Sequence, residues 1–317
     1  SIFKQPGTPQ HFDLKFTVML YFLSFALILF AALAYFLQQH QRAPYGKFHT
    51  KQINSQLQDV LSKYTSQFLP QLKFIWTDKY AFRSIPSLLA WSLQEMPNLI
   101  CSIFTYKIFH LPHNQLTQIN KLVMLMFVFH YLNRAILYPL TLYRGSKQQT
   151  TVFICVLAFL FSCYNGFLQG LSAATVEYYP FWSFFGILAW MRVLVGLVVF
   201  CFGFWINFLS DRLLLQVQRE SNPDKVPAEE KYVCQDSGKV YYIPRGGLFD
   251  FVTSANYLGE LAEWAGFFLV GFSWASFSFL VWNACYLIQR AKHNHEWYVK
   301  HIQNYPSERY AIIPFVM

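Results

Sequence analysis

The sequence predicts an all-α, polytopic integral membrane protein with seven transmembrane helices. Three observations predict it. The 317 residues are 55% hydrophobic and only 13% charged, with 34 Phe and 20 Tyr; that is about half the charge usual in a globular domain. Seven apolar runs are long enough to cross a bilayer as helix, which takes about 20 residues. The basic residues gather on one side of those runs, as the positive-inside rule requires.

In chain order the runs are 16–37, 86–109, 118–143, 150–174, 192–210, 254–272 and 275–290. The last two are separated by so short a turn that they form a hairpin. The aromatic stretch 180–190 is expected at the membrane interface, where Trp and Tyr rings sit well. Residues 52–74 carry Leu57, Val60, Leu61, Tyr64, Phe68 and Leu72 near helical spacing, the pattern of a helix lying on the membrane surface. The mixed charges of 221–236 suit a solvated loop. The chain reads as a single membrane domain over 1–317. It comprises an N-terminal segment with the first span (1–42), a polar connection (43–85), spans two to five (86–210), a long loop (211–253) and a motif-rich C-terminal region (254–317).

Seven spans place the two termini on opposite sides. Of the 25 Lys and Arg, 19 fall on the side of the C-terminus. Lys4, Lys15, Lys107, Lys121 and Arg192 fall on the other, and Arg134 lies within a span. The net charge of +9 is therefore explained by topology and anionic lipid headgroups. It forms no basic stripe, so nucleic acid is not an expected partner. The six cysteines include no CxxC pair, which points to neither a disulfide framework nor a zinc site, and no metal is expected.

Ionisable groups inside a span are expensive, so each is a candidate site residue. Glu95 sits in Trp91-Ser-Leu-Gln-Glu-Met-Pro97, beside Gln94 and ahead of a helix-kinking proline. The third span carries His130, Tyr131, Arg134 and Tyr138; the last three share a face at i, i+3 and i+7. The fifth ends in Asn207 and Asp211, one turn apart. The sixth opens with Asn256, Glu260, Glu263 and Trp264. The seventh leaves the membrane at Arg290, followed by His293, Asn294, His295, Trp297 and Tyr298. Singly, several have ordinary explanations. Arg134 with Glu95 would make a buried ion pair, Asp211 and Arg290 would sit at headgroup level, and His130 would be a satisfied core histidine. As a set they describe a membrane-embedded site for a ligand with anionic and apolar parts. Neither a Rossmann GxGxxG nor a P-loop GxxxxGK[ST] is present, nor HExxH or GxSxG.

The ordered motifs carry this further. Tyr242-Ile-Pro-Arg-Gly-Gly-Leu-Phe249, Ala255-Asn-Tyr-Leu-Gly-Glu260, Glu263-Trp264, Arg290-Ala291, His295-x-Trp-Tyr298, Tyr305-Pro and Ile313-Pro-Phe315 together resemble the steroid 5-alpha-reductase family. So do Ala43-Pro-Tyr-Gly-Lys47, Leu93-Gln-Glu95, His130-Tyr131 with Arg134, Tyr138-Pro139, Asn165-Gly166 with Gln169-Gly170, and Ile206-Asn207 with Ser210-Asp211. The resemblance implies seven helices enclosing a cavity for NADPH and an apolar enone, a 3-oxo-Δ4-steroid or similar lipid. It assigns the substrate carbonyl to Glu95 and Tyr131, and the substrate's surroundings to Tyr45, Trp91 and Gln94. The cofactor falls to Arg134, Tyr138, Asn207, Asp211, Asn256, Glu260, Arg290, His295 and Tyr298. Where relatives commonly carry a basic residue this chain has Gln218, and Asn294 replaces a histidine that some members have.

The resemblance also implies residence in the endoplasmic reticulum membrane, with the C-terminus on the positive-inside face. Two alternatives stay open beside a steroid reductase. One is a reductase-fold accessory subunit of a larger membrane assembly, such as a respiratory complex of the mitochondrial inner membrane. It would dock other membrane-protein subunits through 1–15, 48–85 and 220–240, and a processed start at Ser1 would suit import. The other is reduction of an enoyl thioester or polyprenoid.

Overall fold

The computed structural model describes residues 10–40, 58–59, 61–63, 67, 81–109, 118–143, 149–176, 184–220, 226–233 and 240–316. The predicted surface helix at 52–74, most of the expected docking segments and Tyr45 lie wholly or largely outside these residues. The long helices are α1 (Gln10–His40), α2 (Ser87–Phe109), α3 (Gln118–Leu132), the short α4 (Tyr138–Tyr143), α5 (Val152–Thr175), α6 (Phe184–Glu220), α7 (Ala255–Gly271) and α8 (Trp274–His301). Among the described residues, four helical stretches are long and apolar enough to cross a membrane: Lys15–Gln39, Gln118–Thr141, Val152–Thr175 and Gly186–Gln218. Their outward faces are apolar. Val18, Phe22, Phe25, Leu29, Leu33 and Phe36 are exposed along α1, and Leu194, Val198, Phe202, Trp205 and Leu209 along α6. In water such faces would be aggregation surfaces. Against lipid they are the solvent-compatible side, and the chain is an integral membrane protein.

Several boundaries differ from the apolar runs. Residues 184–190 are the first turns of α6, and α6 continues past Ser210 to Glu220. The extension Asp211–Gln218 is rich in Leu, a strong helix former, and its Leu213 and Leu214 pack on Phe249, Val252 and Ala255. Likewise α8 does not stop at Arg290 but runs to His301, because a helix can leave the apolar layer without breaking. The largely helical architecture fits the all-α expectation, and short strands accompany the helices. Two antiparallel ribbons of three-residue strands are present, β1 (Ser84–Pro86) with β2 (Gln149–Thr151) and β3 (Lys231–Val233) with β4 (Val240–Tyr242). Between α3 and α4 the helix widens into a π turn at Asn133–Leu137.

The chain divides into two compact units. The first contains the start of α1, α2 to α5 and the 271–279 segment that begins α8. Its centre is the α2–α5 contact, where a Cβ on Gly166 or Gly170 would collide with the backbone of Asn98 or Ser102. That close approach lets a buried amide ladder form. Asn98 donates to Ser162 Oγ at 2.7 Å, Asn165 donates to Asn98 Oδ1 at 2.9 Å, and Gln169 donates to Asn165 Oδ1 and the Ala275 carbonyl. Ribbon β1–β2 closes one end, with Ser84 opposite Thr151 and Pro86 opposite Gln149.

The second unit holds the end of α1, most of α6 and α7, the rest of α8 and the C-terminal segment. Its helices α6 and α7 touch backbone to backbone. A side chain on Gly203 would strike the Glu263 amide, and one on Gly259 the Asn207 amide. The Arg192 guanidinium donates to the Leu269 and Val270 carbonyls at the end of α7, satisfying helix-end acceptors with a cation. Ribbon β3–β4 lays Tyr232 and Tyr241 edge-on to Trp297, which stacks on His301 at 4.7 Å. The chain after α8 then returns to the start of α7. Thr253 donates its amide to Tyr310, Tyr310 to Phe251, and Ser254 to Ala311.

Enlarging Gly203 must therefore push the backbones of α6 and α7 apart. Gly203→Leu is expected to lower the unfolding midpoint in detergent, with a loss of about 3 kcal/mol or more. A variant melting within about one degree of the parent would overturn the contact.

Candidate functional site

In the first unit the candidate residues converge where α2 passes the π turn. Pro97 lacks an amide proton, so the Leu93 carbonyl loses its helical donor one residue ahead of Gln94 and Glu95. Trp91 Nε1 donates to the Arg134 carbonyl at 3.2 Å. The Arg134 guanidinium lies over two rings, 4.9 Å from Trp91 and 4.5 Å from Tyr138. The rings themselves are 5.3 Å apart. A guanidinium held on aromatic faces is attracted by the ring quadrupoles. The π turn gives this geometry, because its wider winding takes Tyr138 off the α-helical line expected for Tyr131, Arg134 and Tyr138. Tyr131 is 4% exposed, with its ring 4.6 Å from Phe127 and 4.9 Å from the buried His130. Gln94 is buried, and its Oε1 has no hydrogen-bond partner among the described residues. Glu95 is half-buried on the same helix.

In the second unit Asn207 and Asp211, one turn apart on α6, hold Asn256 at both ends. Asn207 Nδ2 donates to the Asn256 carbonyl at 2.9 Å, and Asn256 Nδ2 donates to Asp211 Oδ1 at 3.1 Å. Arg290 Nε donates to the Tyr257 hydroxyl at 2.8 Å. Asn294 Nδ2 makes a long contact with Ser254 Oγ at 3.4 Å. His295 Nδ1 shares a 2.7 Å hydrogen bond with Thr253 Oγ1, which shares another of 2.7 Å with the Tyr305 hydroxyl. Tyr298 stacks on Tyr305 at 5.2 Å, and Glu260 is buried nearby on α7.

Thus Trp91, Arg134 and Tyr138 make one cluster, and Asn207, Asp211 and Asn256 a second. His295 and Tyr298 join a third around Tyr305. Sequence reasoning missed Thr253, Tyr257, Tyr305 and Arg309 as members of these clusters. Tyr257 and Tyr305 stand within the family motifs, yet a phenol in so aromatic a chain carries no signal of its own.

Burial lowers the His295 pKa from its ordinary value, and the neighbouring Glu296 carboxylate opposes that only in part. Burial raises Tyr298 and Tyr305 above the usual phenol range. The groups facing His295 are Thr253, Tyr305 and Glu296, with the Arg309 cation 5.5 Å from the Tyr305 ring. The sign for stability follows. The unfolded imidazole takes up a proton near pH 6.5 and the folded one only at lower pH. Folded-state stability is therefore retained above that value and lost on acidification through the folded pKa.

The fold and its inward-turned amides, carboxylates and guanidinium groups define a helical integral membrane protein with polar clusters in its interior. A family model described as 3-oxo-5-alpha-steroid 4-dehydrogenase matches residues 148–317. Steroid 5-alpha-reductase DET2 of Solanum lycopersicum is 35% identical over 230 residues, 72% of this chain and 80% of that protein. 3-oxo-5-alpha-steroid 4-dehydrogenase 1 of Mus musculus is 33% identical over 253 residues (76% and 86%). The Homo sapiens protein of the same name is 35% identical over 234 (73% and 81%). The chain belongs to the 3-oxo-5-alpha-steroid 4-dehydrogenase family, the steroid 5-alpha-reductases, which are oxidoreductases.

Thermal unfolding midpoints are expected to fall between about pH 7.5 and about pH 5.5. His295→Gln should make that fall shallower. Identical pH slopes for the two proteins would contradict the assignment to His295.

Proposed function

We propose that this chain reduces the C=C bond of a 3-oxo-Δ4-steroid or a similar apolar enone, with NADPH as hydride donor. Family membership carries the reading: the relatives are named for this reaction and match most of the chain. The second unit supports the choice of a dinucleotide. A guanidinium at Arg290, the carboxylates of Asp211 and Glu260 and the amides of Asn207, Asn256 and Asn294 suit phosphate, ribose and carboxamide in turn. The start of the 17-residue α7, with no acidic residue in its first turn, suits the negative charge of a phosphate. When bound, NADPH would supply a hydride to the enone β-carbon.

The chain's own residues do the rest. In this reading Tyr131 and a protonated Glu95 donate hydrogen bonds to the substrate carbonyl. Negative charge grows on that oxygen as the C=C bond is reduced, so donors fixed there lower the barrier. Trp91 and Gln94 border the steroid. The buried, unpartnered Gln94 Oε1 is a group that a ligand or a water would complete. The bilayer and the aromatic walls exclude water from the reacting carbons. Seven helices cross the membrane, that of the endoplasmic reticulum, with the C-terminus on the positive-inside face.

Purified chain in detergent, given NADPH and a 4-ene-3-oxosteroid, should form the saturated ketone detectable by mass spectrometry. Glu95→Gln and Tyr131→Phe should each lower kcat by about 10²-fold or more with NADPH affinity kept. Asn256→Ala should do the reverse, weakening NADPH about tenfold while sparing kcat. Failure of the parent chain to bind NADPH, or turnover only of enoyl thioesters or polyprenoids, would refute the reading.

A further inference from the structure

The hydrogen bonds around His295 have a direction. Thr253 Oγ1 lies 2.7 Å from both His295 Nδ1 and the Tyr305 hydroxyl, yet it carries one proton for two bonds. Were Thr253 to accept from both, its own proton would have no acceptor among the described residues; two arrangements use that proton. In one, Tyr305 donates to Thr253 and Thr253 to Nδ1, so the imidazole proton sits on Nε2. In the other, Nδ1–H donates to Thr253 and Thr253 to Tyr305, leaving Nε2 a bare acceptor.

Arg309 decides between them. This residue is 4% exposed, donates from Nη1 to the Pro244 carbonyl at 2.8 Å, and has no carboxylate partner among the described residues. Its guanidinium is 5.5 Å from the centre of the Tyr305 ring. A fixed cation beside a phenol favours the arrangement in which the phenol gives its proton away, and it draws the Tyr305 pKa down against the effect of burial. Phenols are in any case stronger donors than aliphatic hydroxyls. The frame that holds the relay is backbone. The hydrogen bonds from Thr253 to Tyr310, from Tyr310 to Phe251 and from Ser254 to Ala311 fasten 305–311 to the start of α7. His295 itself is half-buried, and its Nε2 has no protein partner among the described residues.

We propose that Arg309, Tyr305 and Thr253 are positioning residues that form a one-way hydrogen-bond relay, locking neutral His295 in the Nε2–H tautomer so that it donates to an anionic group of the bound nucleotide. The relay deepens the NADPH reading and rests on it for the ligand, but the tautomer is a property of the protein alone.

The test uses the full chain in detergent with nitrogen-15 histidine, His295→Gln serving to assign the signal. At neutral pH the parent His295 should show a pyridine-type Nδ1 and a protonated Nε2, and Thr253→Val should lose that preference. Thr253→Val should also raise the NADPH dissociation constant about tenfold, the scale of one charge-assisted hydrogen bond, with kcat at saturating NADPH within about twofold. Thr253→Ser should restore both. Tyr305→Phe keeps the ring and loses the terminal donor, and serves if Thr253→Val does not fold; it should show the same tautomer mixing. An Nδ1–H tautomer in the parent, or an unchanged tautomer in Thr253→Val and Tyr305→Phe, overturns the relay. So does a Thr253→Val chain that binds NADPH as the parent does. A parent that shows the Nε2–H tautomer without binding NADPH sinks the nucleotide reading and the ligand half of this proposal, leaving the relay in place.

Discussion

In a hydrocarbon solvent a polar group that the protein does not satisfy is satisfied by nothing. That constraint orders most of this molecule. The outward faces of α1 and α6 are Phe, Leu, Val and Trp, while amides and carboxylates turn inward. Glycines let the inward groups meet. Gly166 and Gly170 bring α2 close enough to α5 for Asn98, Asn165 and Gln169 to complete one another. Gly203 and Gly259 do the same for α6 and α7, where Asn207 reaches the Asn256 carbonyl. Close packing is thus the condition for polarity inside the membrane, and polarity inside the membrane is the condition for binding anything other than lipid.

The two units meet that condition in different ways. Around Arg134 the charge is held by π faces, with Trp91 and Tyr138 replacing water and the π turn setting the angle. Around Asn256 and His295 it is held by hydrogen bonds that cross from helix to helix and out to the segment after α8. The second arrangement fixes proton positions.

Much of this was legible in the sequence, and for a physical reason. Hydropathy sums over many residues, so the long apolar runs found the helices. Motifs such as Ala255-Asn-Tyr-Leu-Gly-Glu260 preserve both identity and spacing, so they found the family. Where a helix outlasted its apolar run, at 211–218 and 292–301, hydropathy fell silent, and only the Leu-rich first stretch kept a helix propensity of its own. The π turn inserts no unusual residue into Asn133–Leu137, and each strand of the ribbons is only three residues long. Thr253, Tyr305 and Arg309 were hidden for another reason. Their partners lie 42 to 65 positions away, and even the motif that contains Tyr305 says nothing of which residues it meets.

The return of 305–311 to the start of α7 also bears on how the protein comes into being. Every long helix precedes that segment in the chain, so all can be inserted in the membrane while the pocket around His295 still lacks Tyr305 and Arg309. A ribosome that stalled or terminated just beyond α8 would leave a protein with its helices in place but without the Tyr305 and backbone contacts that hold Thr253. Insertion of the helices and completion of the cluster around His295 are separate events in its synthesis, and the second waits on a few residues that follow the last helix.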